Sequence, residues 1–122
     1  MAKISGIRLF GDLTLSKNFQ YQDEHAYYKE KIDEIVAKAG FTITDTSYHR
    51  FDDGSFSYGV MLCESHVAVH TWPSHGFFTL DLHVCNYSRD NRVVARKAAN
   101  EIAQLLGWNG DRTELIEYPK PS

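Results

Sequence analysis

The run 63–73, which reads CESHVAVHTWP, and the later Cys85 hold the side chains best suited to chemistry. Ser65 follows Glu64, and the imidazole of His70 and the Cys85 thiol lie downstream. A serine hydroxyl can attack the carbonyl of the preceding residue and convert that peptide bond into an ester. Loss of the serine α-proton then expels the acyl group, and the resulting dehydroalanine hydrolyses to a pyruvoyl group. The run therefore suits a chain that cuts itself between Glu64 and Ser65.

Two further groups would serve this chemistry. His70 is the nearest base for the α-proton, because a neutral imidazole accepts protons near neutral pH. Regular alternation would put Ser65 and His70 on opposite faces of a strand, so we expect the cleavage junction in a turn or bulge. A pyruvoyl carbonyl forms a Schiff base with an amino acid and withdraws electrons as CO2 leaves. A thiol is mostly protonated at neutral pH, so Cys85 can reprotonate the carbanion.

The same residues allow two other interpretations. His66 and His70 share one strand face, and with His83 and Cys85 they could ligate zinc. A metal-binding module predicts an intact chain with stoichiometric zinc, whereas a self-processing enzyme predicts two chains. The third hypothesis is a silent relative that modulates another subunit. It is disfavoured because Ser65, His70 and Cys85 are all present.

Composition restricts the class of protein. The 122 residues fit a single domain, and 13 basic against 16 acidic residues, a net charge of -3, argue against nucleic-acid binding. No stretch approaches the length of a membrane span, and the first residues carry no apolar signal region. We therefore expect a cytoplasmic chain whose Cys63 and Cys85 are reduced.

Helical and strand periodicities alternate along the chain. One helix is expected between a cap at Asp23 and a stop at Gly40, and a second between Asp90 or Asn91 and Gly107. Strands are expected at 7–15, repeatedly within 41–85, and at 114–118. This pattern predicts an α+β fold, an antiparallel sheet with two helices on one face. The uncovered face collects histidines and aromatic residues, so we expect a homodimer.

The segment 47–85 closely resembles the bacterial and archaeal S-adenosylmethionine decarboxylases, a pyruvoyl-dependent family with a Glu-Ser-His processing site, a His-Thr-Trp-Pro element and a downstream cysteine. The resemblance implies that Ser65 becomes the pyruvoyl cofactor, with cleavage into a β chain, 1–64, and an α chain, 65–122. His70 would be the processing base and Cys85 the catalytic proton donor. The implied product is decarboxylated S-adenosylmethionine for spermidine and polyamine biosynthesis.

The resemblance also implies roles for residues outside the central run. Ser57 resembles the serine that assists processing, and Phe51 resembles the aromatic residue that stacks on adenine. The family fold dimerises into an α/β/β/α sandwich with active sites at the interface. No metal, nucleic acid or membrane is implied; the partner is a small amino-acid substrate.

One position departs from the family pattern. The family usually has an acid after Trp-Pro that holds the ribose hydroxyls, and here that position is Ser74. A serine cannot clamp a diol with two charged oxygens, so roughly 1.5 to 3 kcal/mol of binding is missing, about ten- to a hundredfold in affinity. Ornithine or arginine is therefore an alternative substrate. Its cationic end would meet one of four carboxylates that sequence does not distinguish: Asp12, Asp52, Asp53 or Asp81.

Overall fold

Alternating apolar residues and two helical stripes produce the regular elements of the chain. The computed structural model describes residues 6–17, 25–63, 65–85 and 90–107. In chain order the strands and helices are β1 (Gly6–Thr14), α1 (His25–Lys38), β2 (Ile43–Arg50), β3 (Phe56–Leu62), β4 (His66–Trp72), β5 (Phe77–Cys85) and α2 (Arg92–Leu105). A single 3-10 turn, Pro73–His75, joins β4 to β5. The expected Asp23 cap and the expected strand at 114–118 lie outside the described residues.

The strands form one antiparallel sheet in the order β1-β5-β4-β3-β2. Short connections join β2, β3, β4 and β5 in succession, as the two-residue periodicity of 41–85 predicts. The first strand then pairs along its full length with the last, from Gly6 opposite Cys85 to Thr14 opposite Phe77. This register brings the start of the chain next to Cys85.

Both helices pack on the same face of the sheet. Tyr28, Ile32 and Val36 of α1 and Ala98 and Ile102 of α2 are buried against it. The helices end next to Gly40 and Gly107, whose φ angles of 96° and 106° lie in the left-handed region that glycine adopts without strain. At the start of α2 it is Asp90 whose carboxylate accepts a hydrogen bond from the backbone N–H of Arg92 at 3.0 Å. The predicted α+β fold, with two helices on one face, is confirmed.

Strand alternation decides which side chains reach this core. In β5, Phe78, Leu80, Leu82 and Val84 are buried, while the residues between them are half-exposed. In β4, Val67, Val69 and Thr71 are buried, and the intervening residues face the other side. The predicted division of 77–85 into an apolar face and a polar face is therefore confirmed.

We call the second side of the sheet the open face, because neither helix covers it. Its central strands present His66, Ala68, His70, Trp72, Thr79, Asp81, His83 and Cys85, flanked by Arg8, Phe10 and Asp12 on β1 and by Ser57, Gly59 and Met61 on β3. Large apolar side chains lie exposed on this face, Met61 at 53% and Trp72 at 40%. Within the described ranges, no helix is long and apolar enough to cross a membrane.

Candidate active site

Ser65 lies in the connection between β3 and β4. Its backbone N–H donates to the Leu62 carbonyl at 3.4 Å, and the Leu62 N–H donates back to the Ser65 carbonyl at 2.8 Å. This reciprocal pair closes a tight hairpin, and Ser65 precedes the first residue of β4. The expected turn is found at Ser65, while Glu64 lies outside the described residues.

The hydroxyl of Ser65 is held by the far end of β5. The backbone N–H of Cys85 donates to Ser65 Oγ at 2.9 Å. Cys85 is half-exposed on the open face, and both Cys85 and Cys63 carry free thiols. The structure thus brings together two predicted site residues, the serine that would form the electrophile and the cysteine that would donate a proton.

Ser57 and His70 form a second pair on the open face. They are direct cross-strand partners in β3 and β4, and Ser57 Oγ and His70 Nδ1 share a hydrogen bond of 2.8 Å. On the buried side of the same strands, Thr71 Oγ1 accepts a hydrogen bond from the Phe56 N–H at 2.9 Å. This buried contact fixes the register that places Ser57 opposite His70.

The two pairs lie at opposite ends of the sheet. Five residues of extended strand separate Ser65 from His70, and at about 3.3 Å per residue they span roughly 16 Å. Within one chain, therefore, His70 does not reach Ser65. We call the end of the strands that carries Ser65 and Cys85 the serine–cysteine end, and the end that carries Ser57 and His70 the serine–histidine end.

Phe51 lies at the serine–histidine end, in the turn between β2 and β3. Its N–H donates to the Ser55 carbonyl at 2.8 Å, and its ring meets the His49 ring edge-on at a centroid distance of 4.4 Å. Asp53 braces the same turn by accepting from the Ser55 hydroxyl at 2.6 Å and the Ser55 N–H at 2.9 Å. These two bonds hold the pKa of Asp53 below its usual value. With 45% of its surface exposed, the Phe51 ring is available for stacking.

Ser74 is at the same end, in the 3-10 turn between β4 and β5. Its hydroxyl lies 3.2 Å from His75 Nδ1 and faces solvent. Beside this turn the rings of Trp72 and Phe77 stack at 5.0 Å, nearly parallel. The serine–histidine end therefore contains Phe51, Ser57, His70 and Ser74, and the serine–cysteine end contains Ser65 and Cys85.

An ionic cluster occupies the middle of the open face. The guanidinium of Arg8 binds both carboxylate oxygens of Asp81, at 2.9 Å and 3.1 Å, and the His66 ring is 3.9 Å from the same carboxylate. The His66 and His83 rings meet edge-on, with their centroids 5.8 Å apart. Arg8 is absent from the sequence-derived site, and the signal that would find it is the pairing register of β1 with β5.

His70 lies away from His66, the other candidate zinc ligand on β4. His66 and His70 do lie on one side of β4, as expected, but four strand residues separate them by roughly 13 Å. Across 6–17, 25–63, 65–85 and 90–107, no three histidine, cysteine or acidic side chains are grouped closely enough to hold a metal ion.

Comparison with known proteins identifies sequences and a structure similar to this chain. A family model described as S-adenosylmethionine decarboxylase matches residues 9–112. The chain is 30% identical over 87 residues to the S-adenosylmethionine decarboxylase proenzyme 2 of Halalkalibacterium halodurans, covering 71% of this chain and 64% of that protein. It is 27% identical over 103 residues to a Bacillus cereus S-adenosylmethionine decarboxylase proenzyme 1, covering 84% and 75% of the two chains.

The fold also matches a solved structure. The adenosylmethionine decarboxylase from Aquifex aeolicus superposes with a TM-score of 0.74 at 24% identity, covering 96% of this chain and 91% of that one. At this identity the likeness concerns the fold, whereas the family model spans most of the sequence. The chain belongs to the S-adenosylmethionine decarboxylase family.

Proposed function

We propose that this chain is a self-processing, pyruvoyl-dependent α-decarboxylase that acts on S-adenosylmethionine and supplies decarboxylated S-adenosylmethionine for spermidine synthesis. The observation that carries the proposal is the hydrogen bond from the Cys85 N–H to Ser65 Oγ at 2.9 Å. Family membership supports the reaction class, and the relatives are named as proenzymes. Processing would divide the chain into 1–64 and 65–122.

Ser65 begins the processing by attacking the carbonyl carbon of Glu64, which moves the acyl group from nitrogen to oxygen. A base then removes the α-proton of Ser65, the bond from its Cβ to oxygen breaks, and Glu64 departs as a carboxylate. Water hydrolyses the remaining dehydroalanine terminus with release of ammonia. Because the Cys85 N–H already donates to Oγ, it can stabilise that oxygen as it departs with negative charge.

The residues around Ser65 fit a pyruvoyl group at this position. The hairpin places the future terminus at the end of the central strands, and the thiol of Cys85 belongs to the residue whose amide holds Oγ. When present, the group supplies a carbonyl that accepts electrons as CO2 leaves. Cys85 then supplies the proton for the product carbon.

A second copy of the chain completes the site. Ser57 and His70 lie about 16 Å from Ser65 along the strand, so they cannot act on the hydroxyl of their own chain. In this dimer the open faces of two copies pack against each other, and the two-fold axis lies between the sheets, perpendicular to the strands. This symmetry places the serine–histidine end of one protomer over the serine–cysteine end of its partner. The exposed Met61 and Trp72 support burial of this face. The result is a homodimer, an α/β/β/α sandwich with two shared sites.

In this arrangement the roles divide between protomers. His70, hydrogen-bonded through Nδ1 to Ser57, removes the α-proton of the partner's Ser65 and so acts as the processing base. Phe51 stacks on the adenine of the substrate, while Ser74 lies where an acid would hold the ribose. One protomer therefore binds and positions the substrate, and its partner converts it.

Ser74 is the observation that favours a second substrate class. Its neutral hydroxyl cannot replace a carboxylate on the ribose diol, and the missing binding corresponds to about ten- to a hundredfold in affinity. Ornithine and arginine need no ribose contact. S-adenosylmethionine stays first because the exposed Phe51 ring contacts the ring of His49, the cross-strand partner of Ser57.

Release of CO2 from carboxyl-labelled substrates tests the function directly. We expect turnover of S-adenosylmethionine by the purified protein, with Ser65→Ala as an inactive matched control. Replacing Phe51 by Ala should raise KM for S-adenosylmethionine and leave KM for ornithine or arginine unchanged. Absence of CO2 release from all three substrates by fully cleaved protein would refute the proposed function.

A further inference from the structure

Of the four carboxylates that sequence leaves equivalent, two are compensated by neighbouring groups; within the described part of the chain Asp12 and Asp52 are not, and of these two only Asp12 lines the hollow that contains His70. Asp81 is bound on both oxygens by the Arg8 guanidinium, and Asp53 is occupied by Ser55. Asp12 is exposed on β1 and, among the described residues, makes no hydrogen bond or ion pair. Its negative charge is therefore available to a ligand.

Asp12 also shares a hollow with the candidate processing base. Asp12 and His70 line the same open depression of about 260 Å³ on the open face, together with Phe10, Ala68 and Thr79. Thr79 is the direct strand partner of both Asp12 and His70, so the three residues form one row across the sheet. Two strand spacings put the α-carbons of Asp12 and His70 about 10 Å apart, within reach of one amino-acid side chain.

The environment of the hollow favours a positive charge. Its other carboxylate, Asp81, is neutralised by Arg8, so Asp12 contributes the uncompensated charge. Packing of a partner on the open face would remove Asp12 from water, and a carboxylate in that position is costly without a cation. The Phe10 ring on the same wall is already covered by the Arg8 guanidinium, which lies 4.6 Å from its centroid, so Asp12 is the group left to meet a ligand cation.

We propose that Asp12 binds the cationic group of the substrate side chain. This assignment rests on the proposed function, because it needs an amino acid at the site that His70 serves. The shared chemistry is a positive centre a few bonds from the α-carbon: the ammonium of ornithine, the guanidinium of arginine or the sulfonium of S-adenosylmethionine. Asp12 is thereby a specificity residue for cationic over neutral substrates.

Binding of charged and neutral analogues to the cleaved protein tests this proposal. Arginine is compared with its neutral isostere citrulline, and S-adenosylmethionine with S-adenosylhomocysteine, by isothermal titration calorimetry. We expect wild type to prefer the cation by about tenfold or more in at least one pair. That preference should disappear in Asp12→Asn and persist in Asp12→Glu. Which pair responds identifies the source of the cation.

Matched controls separate Asp12 from a general effect of charge. Glu30→Gln removes the same charge from the exposed side of α1 and should keep the preference. An unchanged preference in Asp12→Asn, its loss in Asp52→Asn instead, or a wild type that distinguishes neither pair would overturn the assignment. The masses of the two chains report on processing independently, so failure of the proposed function is recognised separately.

Discussion

The backbone N–H of Cys85 donates a hydrogen bond to the hydroxyl oxygen of Ser65 at 2.9 Å, joining residues twenty positions apart. The hydroxyl oxygen is thus held as a hydrogen-bond acceptor. In our account the amide of Cys85 serves cleavage and its thiol serves turnover. The two functions of one residue should therefore separate on mutation.

Replacing Cys85 by Ala keeps the amide and removes only the thiol. We expect cleavage at the wild-type rate, because the hydrogen bond to Ser65 Oγ comes from the backbone. Decarboxylation should fall by about 100-fold or more, the usual contribution of a general acid. Gel analysis reports cleavage and CO2 release reports turnover. Full turnover by Cys85→Ala would show that the thiol is not the proton donor.

Replacing His70 by Ala should block cleavage. His70 is the base in our account, and its ring is oriented by the 2.8 Å hydrogen bond to Ser57. Ser57→Ala should slow cleavage less severely, because the imidazole remains but loses its orienting partner. The fraction of intact chain over time measures both effects. His75→Ala is a matched control, and a His70→Ala protein that cleaves as fast as this control would contradict the assignment.

Mixing two inactive subunits tests whether the site is shared. Ser65→Ala retains Ser57 and His70, and His70→Ala retains Ser65 and Cys85, so a heterodimer contains one intact composite site. The His70→Ala chain should stay uncleaved when it is expressed by itself. We expect it to be cleaved when it is co-expressed with a tagged Ser65→Ala chain. A His70→Ala chain that stays intact within an isolated heterodimer would rule out the shared site.

A buried tyrosine gives a prediction for stability. Tyr58 is 1% exposed, and its hydroxyl donates to the carboxylate of Asp33, which also binds Lys29 at 3.0 Å. Burial, reinforced by the bond to Asp33, raises the pKa of Tyr58 above its ordinary value near 10. Below pH 10 the buried, protonated Tyr58 contributes fully to the free energy of unfolding. This contribution is lost as the pH rises further, because Tyr58 ionises in the unfolded chain at a lower pH than in the folded chain.

Tyr58→Phe should therefore reduce the free energy of unfolding by about 1 kcal/mol at pH 7 and flatten its decline above pH 10. Urea unfolding at a series of pH values measures both changes. The exposed Tyr27 provides a control, since Tyr27→Phe should retain the decline of wild type. Equal alkaline profiles for the two variants would show that Tyr58 does not contribute as argued.

Local sequence was sufficient for much of the fold. Alternation identified which face of 77–85 is buried, and helical spacing with Gly40 and Gly107 located both helices. The odd spacing of Ser65 and His70 also indicated a turn at Ser65. Each of these features depends on neighbours within a few positions along the chain.

Long-range register was not accessible in the same way. The Arg8–Asp81 ion pair joins residues 73 positions apart, and it exists only because β1 pairs with β5. Likewise, the extended conformation of β4 keeps His70 far from Ser65. Sequence identified both residues, but only the sheet shows that a single chain keeps them apart.

The intact mass of the freshly purified protein under denaturing conditions tests the central claim most directly. We expect two chains that divide between Glu64 and Ser65. The C-terminal chain should be lighter by one ammonia than a chain that begins with serine. Ser65→Ala should give one full-length mass. A single full-length mass for wild type, with an unmodified Ser65, would contradict the account.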